Sequence, residues 1–372
     1  MAYSSSASKT SHIPVIRTLA QLRRWRQQAR ESKLEVGIVP TMGALHEGHL
    51  NLGEGKRFSP SHALRADTMS PVKTSLHRHP LTVMTLFVNP MQFAPHEDLS
   101  AYPRTLEKDL DLLRTLLPTA PTFRGLGVSE NDSFRSPSSS SSSGDRAHDS
   151  PLIVFAPGNE VLYPLKGELQ DLEQKKGVEV DVKGWGEVME GSSRPQFFKG
   201  VATICTKLFN AVEPDHAYFG QKDIQQALLL KISAFAASLS APPRYNPADA
   251  LRNSVDGSPP LSSLLQQPPH PPDHAALSAA RGLFETAASA APITGEELIS
   301  EATKVILEEQ QRILDEGEDV ELKLDYVEVF EKSNFEPMRG EVRSGRELVV
   351  AGAMWVGKTR LIDNLLLGWE VD

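Results

Sequence analysis

Residues 34–49 have the sequence LEVGIVPTMGALHEGH, in which an apolar run passes directly into a loop containing glycine and histidine. The run at 34–41 is short, apolar and rich in β-branched residues, so it predicts a buried strand that stops at Pro40. A helix could begin beyond the loop, and the first turn of a helix presents unpaired N–H groups and a partial positive charge. Such groups suit phosphate oxygens, so the stretch predicts a strand of an α/β sheet followed by a phosphate-binding loop.

Two histidines in this loop strengthen that prediction. His46 and His49 are three residues apart and would point to one side of a helical turn, where both could donate hydrogen bonds to one phosphate cluster. Gly43 and Gly48 would let a nucleotide approach the backbone closely. A pair of surface histidines is the alternative interpretation. The zinc-protease pattern His-Glu-x-x-His is one residue longer, so the spacing does not match it.

Composition bounds the class of protein. A length of 372 residues favours two domains, and a net charge of −9 argues against a nucleic-acid surface, which needs clustered Lys and Arg. No apolar stretch reaches the roughly 18 residues that span a membrane. The single cysteine, Cys205, lies in an apolar run and indicates a core residue in a reducing compartment. We therefore expect a cytoplasmic protein, although the basic first 33 residues, with Glu31 their only acid, weakly resemble an organelle presequence.

Strand and helix patterns alternate through the first part of the chain, which predicts a Rossmann-like, doubly wound parallel α/β sheet in residues 1–240. The predicted strands after the first are at 81–88, 152–156 and 217–219, and the predicted helices are an amphipathic one around 16–25 and others at 98–116, 200–210 and 224–237. Two segments lack this periodicity. The insertion at about 53–80 is irregular, so any crossover helix there must be short. The Ser-rich insertion at about 118–151 predicts disorder.

A Pro-rich linker is predicted at 241–273, where composition changes again. Beyond it, residues 274–372 are predicted to form a smaller C-terminal α/β domain. Its predicted helices are at 275–290 and 294–314, and its predicted strands are at 322–330 and 346–351.

A second phosphate-binding pattern lies near the C-terminus. Residues 352–359, GAMWVGKT, match the P-loop pattern G-x-x-x-x-G-K-T. Only 13 residues follow Thr359, too few for the remaining strands of a P-loop core. Met354 and Trp355 are also bulky for a phosphate cradle, so the segment predicts a packed strand, a turn and a second strand.

Several segments occur together in one order. They are PTMGALHEGH at 40–49, FVNPMQF at 87–93, EDLSAYPRT at 97–105, RPQFFKGV at 194–201, YFGQKDIQQ at 218–226 and TRLIDN at 359–364. These segments resemble the pantothenate synthetase (pantoate–β-alanine ligase) family of the HIGH-motif nucleotidyltransferase superfamily. The resemblance covers roughly residues 34–52, 81–117, 152–231 and 274–368.

The resemblance implies an AMP-forming ligase. ATP and pantoate would give pantoyl adenylate and pyrophosphate, and the amine of β-alanine would then displace AMP to form pantothenate. The resemblance also implies a homodimer, and Mg²⁺ is expected with ATP because it offsets the phosphate charge, although no metal-binding cluster is recognisable in the sequence.

The resemblance also assigns residues to roles. His49 would be the catalytic proton donor, with His46 and Lys222 beside it on the phosphates. The nucleotide-binding residues would be Met42, Gly43, Gly48, Gly220, Gln221, Asp223 and Arg252. The pantoate-binding residues would be Gln92, Gln226, Asn89, Tyr102 and Arg194. For Asn89 and Tyr102 the alternatives are a strand cap and a packing residue.

Two departures from the family pattern leave alternatives open. The insertion at about 53–80 stands where the family has a compact amphipathic helix. The family's Asp-Gly-Leu-Ala-Leu-Ser-Ser-Arg-Asn-like segment is reduced here to PADALRN at 247–253, so Arg252 has no adjacent serine pair. A catalytically impaired relative, another HIGH-motif nucleotidyltransferase and a gene model with altered exons are the alternatives.

Overall fold

The computed structural model describes residues 12–45, 71–95, 97–117, 126–128, 148–165, 169–170, 176–220, 223–236, 272–287, 293–317, 320–342, 346–357 and 359–368. These residues fall into two compact units. The first contains the described residues within Met1–Val182 and Arg194–Asp256, and the second contains those within Lys183–Ser193 and Gly257–Asp372. Most of the predicted linker at 241–273 lies outside the described residues, and its last two residues begin a helix.

The first unit consists of short strands and helices. Its strands are β1 Val15–Ile16, β2 Val36–Thr41, β3 Leu81–Leu86, β4 Leu126–Val128, β5 His148–Ser150, β6 Leu152–Phe155 and β7 His216–Ala217. Its longer helices are α1 Leu19–Glu31, α2 Pro71–Arg78, α3 Leu106–Arg114, α4 Phe197–Val212 and α5 Ile224–Ala236. A one-turn helix covers Asn159–Leu162, and 3-10 turns cover Pro90–Gln92 and Leu99–Ala101.

Five of these strands form one sheet in the order β1-β6-β3-β2-β7, and every neighbouring pair is parallel. β6 is buried along its whole length and β3 along all but its last residue, as is typical of a parallel sheet covered on both faces. On one face, Met84 and Val154 pack with Leu76 of α2 and Leu113 of α3. The predicted doubly wound parallel sheet is therefore confirmed.

The predicted end of β2 at Pro40 is wrong by one residue, since the strand continues to Thr41. The carbonyl of Ile38 accepts from Tyr218 on the β7 side, so Pro40, two residues later, also faces that side. The ladder with β7 pairs only Gly37 and Ile38 of β2. Because no ladder partner is opposite Pro40, its missing N–H breaks no hydrogen bond.

The helix predicted at 98–116 begins later than its sequence period suggests. Asp98 instead caps a 3-10 turn, accepting from the N–H of Ser100 at 2.8 Å, and α3 starts at Leu106. Pro103 explains the delay, because a proline disfavours the helical conformation in the preceding residue, and Tyr102 has φ −65° and ψ 128°.

The two irregular insertions are described only in part. Within the described residues, α2 is a crossover helix of eight residues between β2 and β3, and the short helix expected across the whole of 53–80 stays a prediction. Within the insertion predicted to be disordered, β4 and β5 pair antiparallel, so that prediction is wrong for these six residues. A local backbone ladder does not need the apolar periodicity on which the prediction depended. The rest of that insertion and residues 51–70 lie outside the described residues.

The second unit contains helices packed on an antiparallel sheet. Its elements are α6 Pro272–Ala287, α7 Gly295–Glu316, β8 Ile293–Thr294, β9 Leu322–Glu331, β10 Glu341–Val342, β11 Leu348–Val356, β12 Thr359–Leu367 and a one-turn helix at Glu190–Ser193. The three-stranded sheet has the order β12-β11-β9, and β8 pairs with β10. α7 begins with a capping box between Thr294 and Glu297. The predicted smaller α/β domain is therefore present.

The P-loop-like segment at 352–359 lies in the hairpin of β11 and β12. Val356 pairs with Thr359, and Gly357 in the turn has φ 58°. Met354 is buried within β11. The predicted strand, turn and second strand are confirmed, and the segment does not precede a helix as a P-loop does. Among the described helices, none has both the length and the apolar character that crossing a membrane requires.

Candidate active site

The carboxyl ends of β2, β3, β6 and β7 lie at one edge of the parallel sheet. From β2 the chain proceeds to β3 and β6 on one side, and later to β7 on the other side. Ligands of open α/β sheets bind outside the carboxyl ends of the strands at such a switch point. Met42 and Gly43 follow β2, and Gly220 follows β7, so predicted nucleotide-binding segments flank the switch point.

One buried carboxylate holds the turn after β2. Asp109, on α3, is fully buried and accepts from the backbone N–H of Leu45 at 2.8 Å and of Ala44 at 3.2 Å. Gly43 and Ala44 have φ values of 90° and 54°, so the turn is a conformation that few residues adopt without support. Asp109 therefore fixes the backbone that precedes His46 and His49 in the chain.

Gly43 is also required by packing. A Cβ atom at this position would lie 2.5 Å from Leu86 Cδ2 and 3.2 Å from Asp109 Oδ2. Its N–H donates to Thr41 Oγ1 at 3.0 Å. Met42, next to it, is partly buried. Gly43 thus lets the turn lie close to β3 and α3.

Asn89, just after β3, joins three parts of the first unit. Its amide nitrogen donates to Gln92 Oε1 at 2.9 Å and to the carbonyl of Gly200 at 3.0 Å, while its amide oxygen accepts from the Tyr163 hydroxyl at 2.8 Å. Asn89 is only 1% exposed. Because both amide hydrogens are used within the protein, Asn89 positions Gln92, and it does more than cap a strand.

Gln92 is oriented by this contact. Its amide oxygen is held by Asn89, so its amide nitrogen points the other way, and none of the described residues accepts a hydrogen bond from that nitrogen. The side chain is partly buried. A primary amide held in this way presents N–H donors, which suit a carboxylate or a hydroxyl oxygen.

Arg194 ties the loop after β3 to the start of α4. Its guanidinium donates to the carbonyl of Gln92 at 3.0 Å and to the carboxylate of Glu97 at 3.0 and 3.2 Å, and it lies 4.5 Å from the ring centroid of Phe197. Glu97 in turn accepts from the N–H of Ala94 at 2.7 Å. In this arrangement Arg194 acts on Gln92 through the backbone.

Tyr102 links the two sides of the site electrostatically. Burial, together with the carboxylates of Asp109 and Asp223, raises the pKa of the Tyr102 hydroxyl above its usual value. The ring packs edge-on against Phe93, with centroids 5.7 Å apart. Tyr102 is therefore a neutral hydroxyl at pH 7, within electrostatic reach of both the turn after β2 and the turn after β7.

The turn after β7 leaves open space. The N–H of Asp223 donates to the carbonyl of Gly220 at 3.2 Å, and a Cβ on Gly220 would meet no described atom within 4 Å. Asp223 itself is exposed. Gln226 lies in the first turn of α5, partly buried between buried neighbours. Among the described residues, this side of the switch point therefore has no atom against Gly220 and offers exposed oxygen acceptors.

The structure describes seven of the predicted site residues at the carboxyl edge or in the loops that support it: Met42, Gly43, Asn89, Gln92, Tyr102, Gly220 and Asp223. Gln226 and Arg194 lie on or just before adjoining helices. The remaining predicted residues lie outside the described residues: His46, Gly48, His49, Gln221, Lys222 and Arg252.

The sequence interpretation gave no role to four supporting residues, Asp109, Tyr163, Gly200 and Glu97, although Glu97 and Gly200 stand in segments that carry the resemblance. Asp109 stands in an apparently ordinary amphipathic helix, and Tyr163 follows a one-turn helix. Their roles depend on contacts with residues far away in the chain, such as the 2.8 Å bond from Tyr163 to Asn89. No local spacing contains that information.

Cys205 lies within α4 and is 3% exposed. Burial raises the pKa of its thiol to about 12, so the thiol stays protonated at pH 7. Its interpretation as a core residue is confirmed.

Gly200 makes a close contact that gives a first prediction. A Cβ at Gly200 would lie 2.4 Å from the carbonyl oxygen of Met91, so the backbone of the 3-10 turn before Gln92 would have to move. We expect Gly200→Ala to raise KM for the substrate that Gln92 binds about 10-fold, as measured by steady-state kinetics. Gly282→Ala is the matched control, since Gly282 also lies in a helix but has open space in front of it. Equal kinetics in the two variants would contradict the role of this contact.

A parallel sheet with a glycine-containing turn at its switch point defines an open α/β protein of the kind that binds ligands at the carboxyl ends of its strands. The family model of pantoate–β-alanine ligase matches residues 14–366, and the chain belongs to this family. It is 32% identical to the pantothenate synthetase of Moorella thermoacetica over 362 residues, covering 95% of this chain and 99% of that protein. It is 37% identical to the pantoate–β-alanine ligase of Saccharomyces cerevisiae over 222 residues, covering 59% of this chain and 55% of that protein.

A solved structure of a pantothenate synthetase also resembles this chain. The pantothenate synthetase of Thermus thermophilus superposes with a TM-score of 0.60 and 26% sequence identity, covering 95% of this chain and 99% of that one. The likeness therefore extends over both units of the chain.

Proposed function

We propose that this chain condenses pantoate with β-alanine to form pantothenate, consuming ATP and releasing AMP and pyrophosphate. The match of the family model to residues 14–366 carries the proposal. The geometry at the carboxyl edge agrees with it, because an oriented amide at Gln92 and an open turn at Gly220 suit a small carboxylic acid beside a nucleotide.

The reaction has two steps. A pantoate carboxylate oxygen attacks the α-phosphorus of ATP, and the bond to pyrophosphate breaks. The unprotonated amine of β-alanine then attacks the acyl carbon, AMP leaves, and the amine loses a proton. Negative charge builds on phosphoryl oxygens in the first step, so the protein acts mainly by positioning and by charge stabilisation.

On the phosphate side, we propose that His49 is the proton donor, with His46 and Lys222 beside it. Asp109 fixes the turn that precedes the two histidines, and Lys222 follows β7 at the same edge of the sheet. The nucleotide would lie against Met42, Gly43, Gly48, Gly220, Gln221, Asp223 and Arg252. Asp223 is exposed and offers carboxylate oxygens that suit the ribose hydroxyls.

On the pantoate side, we propose that Gln92 donates from its amide nitrogen to the carboxylate or a hydroxyl oxygen, and that Gln226 donates to the carboxylate and accepts from a hydroxyl. Asn89 and Arg194 hold Gln92 in place, through the contacts described above. Tyr102 adds a neutral hydroxyl at the boundary between the two substrates.

Three further features belong to the same proposal. Mg²⁺ would accompany ATP, because a divalent ion offsets charge on the phosphates and usually keeps most of its ligands from phosphate and water. We also propose a homodimer, by resemblance to the family, and a cytoplasmic location, for which the single buried cysteine is the support.

The partial reactions test this function. With pantoate alone, the protein should exchange labelled pyrophosphate into ATP, because adenylate formation is reversible. AMP should appear in quantity only when β-alanine is added, and β-alanine without pantoate should give neither signal. A well-folded sample with no AMP release would contradict the proposal in favour of a non-catalytic relative. Nucleotidyl transfer to a different acceptor would indicate another HIGH-motif enzyme.

A further inference from the structure

Three metal-ligating side chains meet at the amino edge of the parallel sheet, opposite the edge that carries the predicted substrate residues. Glu35 lies just before β2, His79 lies between α2 and β3, and His216 is the first residue of β7. β3, β2 and β7 are neighbours, so their amino ends bring the three residues together. One ligand atom from each lies within 4.8 Å of the others.

His79 is the fixed member of this cluster. It is 4% exposed, and its Nε2 lies 2.5 Å from the Tyr218 hydroxyl. Its Nδ1 is also buried and makes no hydrogen bond of normal geometry, although Glu35 Oε2 lies 3.4 Å away. Buried polar atoms in native proteins are almost always paired, and the long contact with Glu35 leaves room for an ion to complete the pairing of this nitrogen.

The orientation of the His79 ring suits a ligand. With its proton on Nε2, facing the Tyr218 oxygen, the lone pair of Nδ1 faces Glu35.

We propose that His79 Nδ1, a ring nitrogen of His216 and the carboxylate of Glu35 bind one Zn²⁺ ion. Two imidazoles and one carboxylate are a usual zinc set with a fourth position for water, whereas Mg²⁺ and Ca²⁺ prefer oxygen ligands throughout. The Tyr218 hydroxyl then accepts from the second ring nitrogen of His79, which is how metal-bound histidines are normally oriented.

The cluster needs a modest adjustment to converge on an ion. The rings of His79 and His216 stack, with centroids 4.2 Å apart and planes 26° apart, so His216 must turn about its side-chain bonds. The His216 side chain is 19% exposed and that of Glu35 is 55% exposed, so both are less enclosed than the His79 ring. Asp215 is not counted as a ligand, because Arg26 and the N–H of Val36 both donate to its Oδ2.

Gly37 has no side chain at the point where the backbone of β2 lies close to the cluster. A Cβ there would lie 2.1 Å from Ser75 Oγ, 3.1 Å from the His79 ring and 3.2 Å from the Tyr218 ring. β2 therefore lies close to the rings of His79 and Tyr218, which restricts His79, the buried ligand. The adjustment needed to bind an ion falls on Glu35 and His216, the two outer ligands.

Zinc binding to the full-length protein tests the proposal. Chelator-treated protein would be titrated with Zn²⁺ by calorimetry, and with Co²⁺ while the visible absorption of a four-coordinate ion is recorded. We expect one zinc equivalent that the Glu35→Gln/His216→Asn double variant binds more than about 100-fold more weakly, with loss of the Co²⁺ absorption. The ligase activity of the double variant should match that of the wild type, because these residues lie at the opposite edge.

The same titration includes a control variant and gives the result that would contradict the zinc site. His77→Ala removes an exposed histidine from α2, and its zinc binding should be unchanged. His79→Asn, with folding checked by circular dichroism, should behave like the double variant. If the double variant binds the same number of zinc ions with the same affinity as the wild type, the site does not exist, and any zinc bound belongs elsewhere in the chain.

Discussion

Replacing Asp109 with alanine is expected to lower kcat/KM for ATP about 100-fold. The carboxylate accepts from the N–H groups of Ala44 and Leu45, in a turn with two successive positive φ values. Without it the turn has no acceptor for these groups and can relax to a more favourable conformation. A shift of about 1 Å in a positioning element costs on the order of 100-fold in rate, and His49 lies four residues after Leu45 in the sequence.

The same change should lower stability. Asp109 is fully buried, so the variant leaves two backbone N–H groups without their partner and a small cavity beside Gly43. Each buried unpaired group costs about 1–3 kcal/mol, so we expect the free energy of unfolding to fall by about 3 kcal/mol. Urea denaturation followed by circular dichroism measures this loss, and the kinetics are taken well below the transition.

Two control variants separate the effect of the Asp109 hydrogen bonds from any effect of changing helix α3. Asp109→Asn keeps the size and one acceptor oxygen, so it should lose only about 10-fold, since one N–H would still be paired. Asp111→Ala changes an exposed acid on the same helix, which pairs with Arg114, and should have no effect on kinetics. Wild-type kcat/KM in Asp109→Ala would show that the turn does not depend on this carboxylate.

The elements predicted correctly are those with a strong local pattern. β3 and β6 are continuous apolar runs, and α1 has its apolar residues at helical spacing, with Leu22, Trp25 and Ala29 buried. The errors occurred where a neighbouring strand or residue decided where an element begins or ends. Pro40 continues its strand only because the neighbouring strand has already ended, and Pro103 delays α3 despite a helical leucine pattern.

For the candidate site, the sequence indicates which residues matter more readily than how they act. Asn89 and Gln92 belong to the same recognisable segment, yet only the structure separates the amide that is used within the protein from the amide left to donate. Asp109 and Tyr163 were missed because their partners are distant in the chain. The Glu35, His79 and His216 cluster was missed for the same reason, since three separate segments supply it.

Replacing His49 with alanine is expected to lower kcat by at least about 100-fold, close to 3 kcal/mol, with KM for ATP changed only a few-fold. A donor to a phosphoryl oxygen gains most of its interaction as charge develops in the transition state, so its loss appears in kcat more than in substrate binding. Pantoate-dependent pyrophosphate exchange should fall in parallel, because the lost contact serves the adenylation step. His77→Ala, which removes an exposed histidine of α2, should retain the full rate.

Combining the two variants tests how they are related. If Asp109 acts by positioning the loop that carries His49, then Asp109→Ala should cost little further activity in a His49→Ala background, because the group being positioned is already absent. Two independent 100-fold losses would instead multiply to about 10,000-fold. Multiplicative losses would mean that Asp109 serves the site by another route, and an unchanged rate in His49→Ala alone would remove His49 from the reaction.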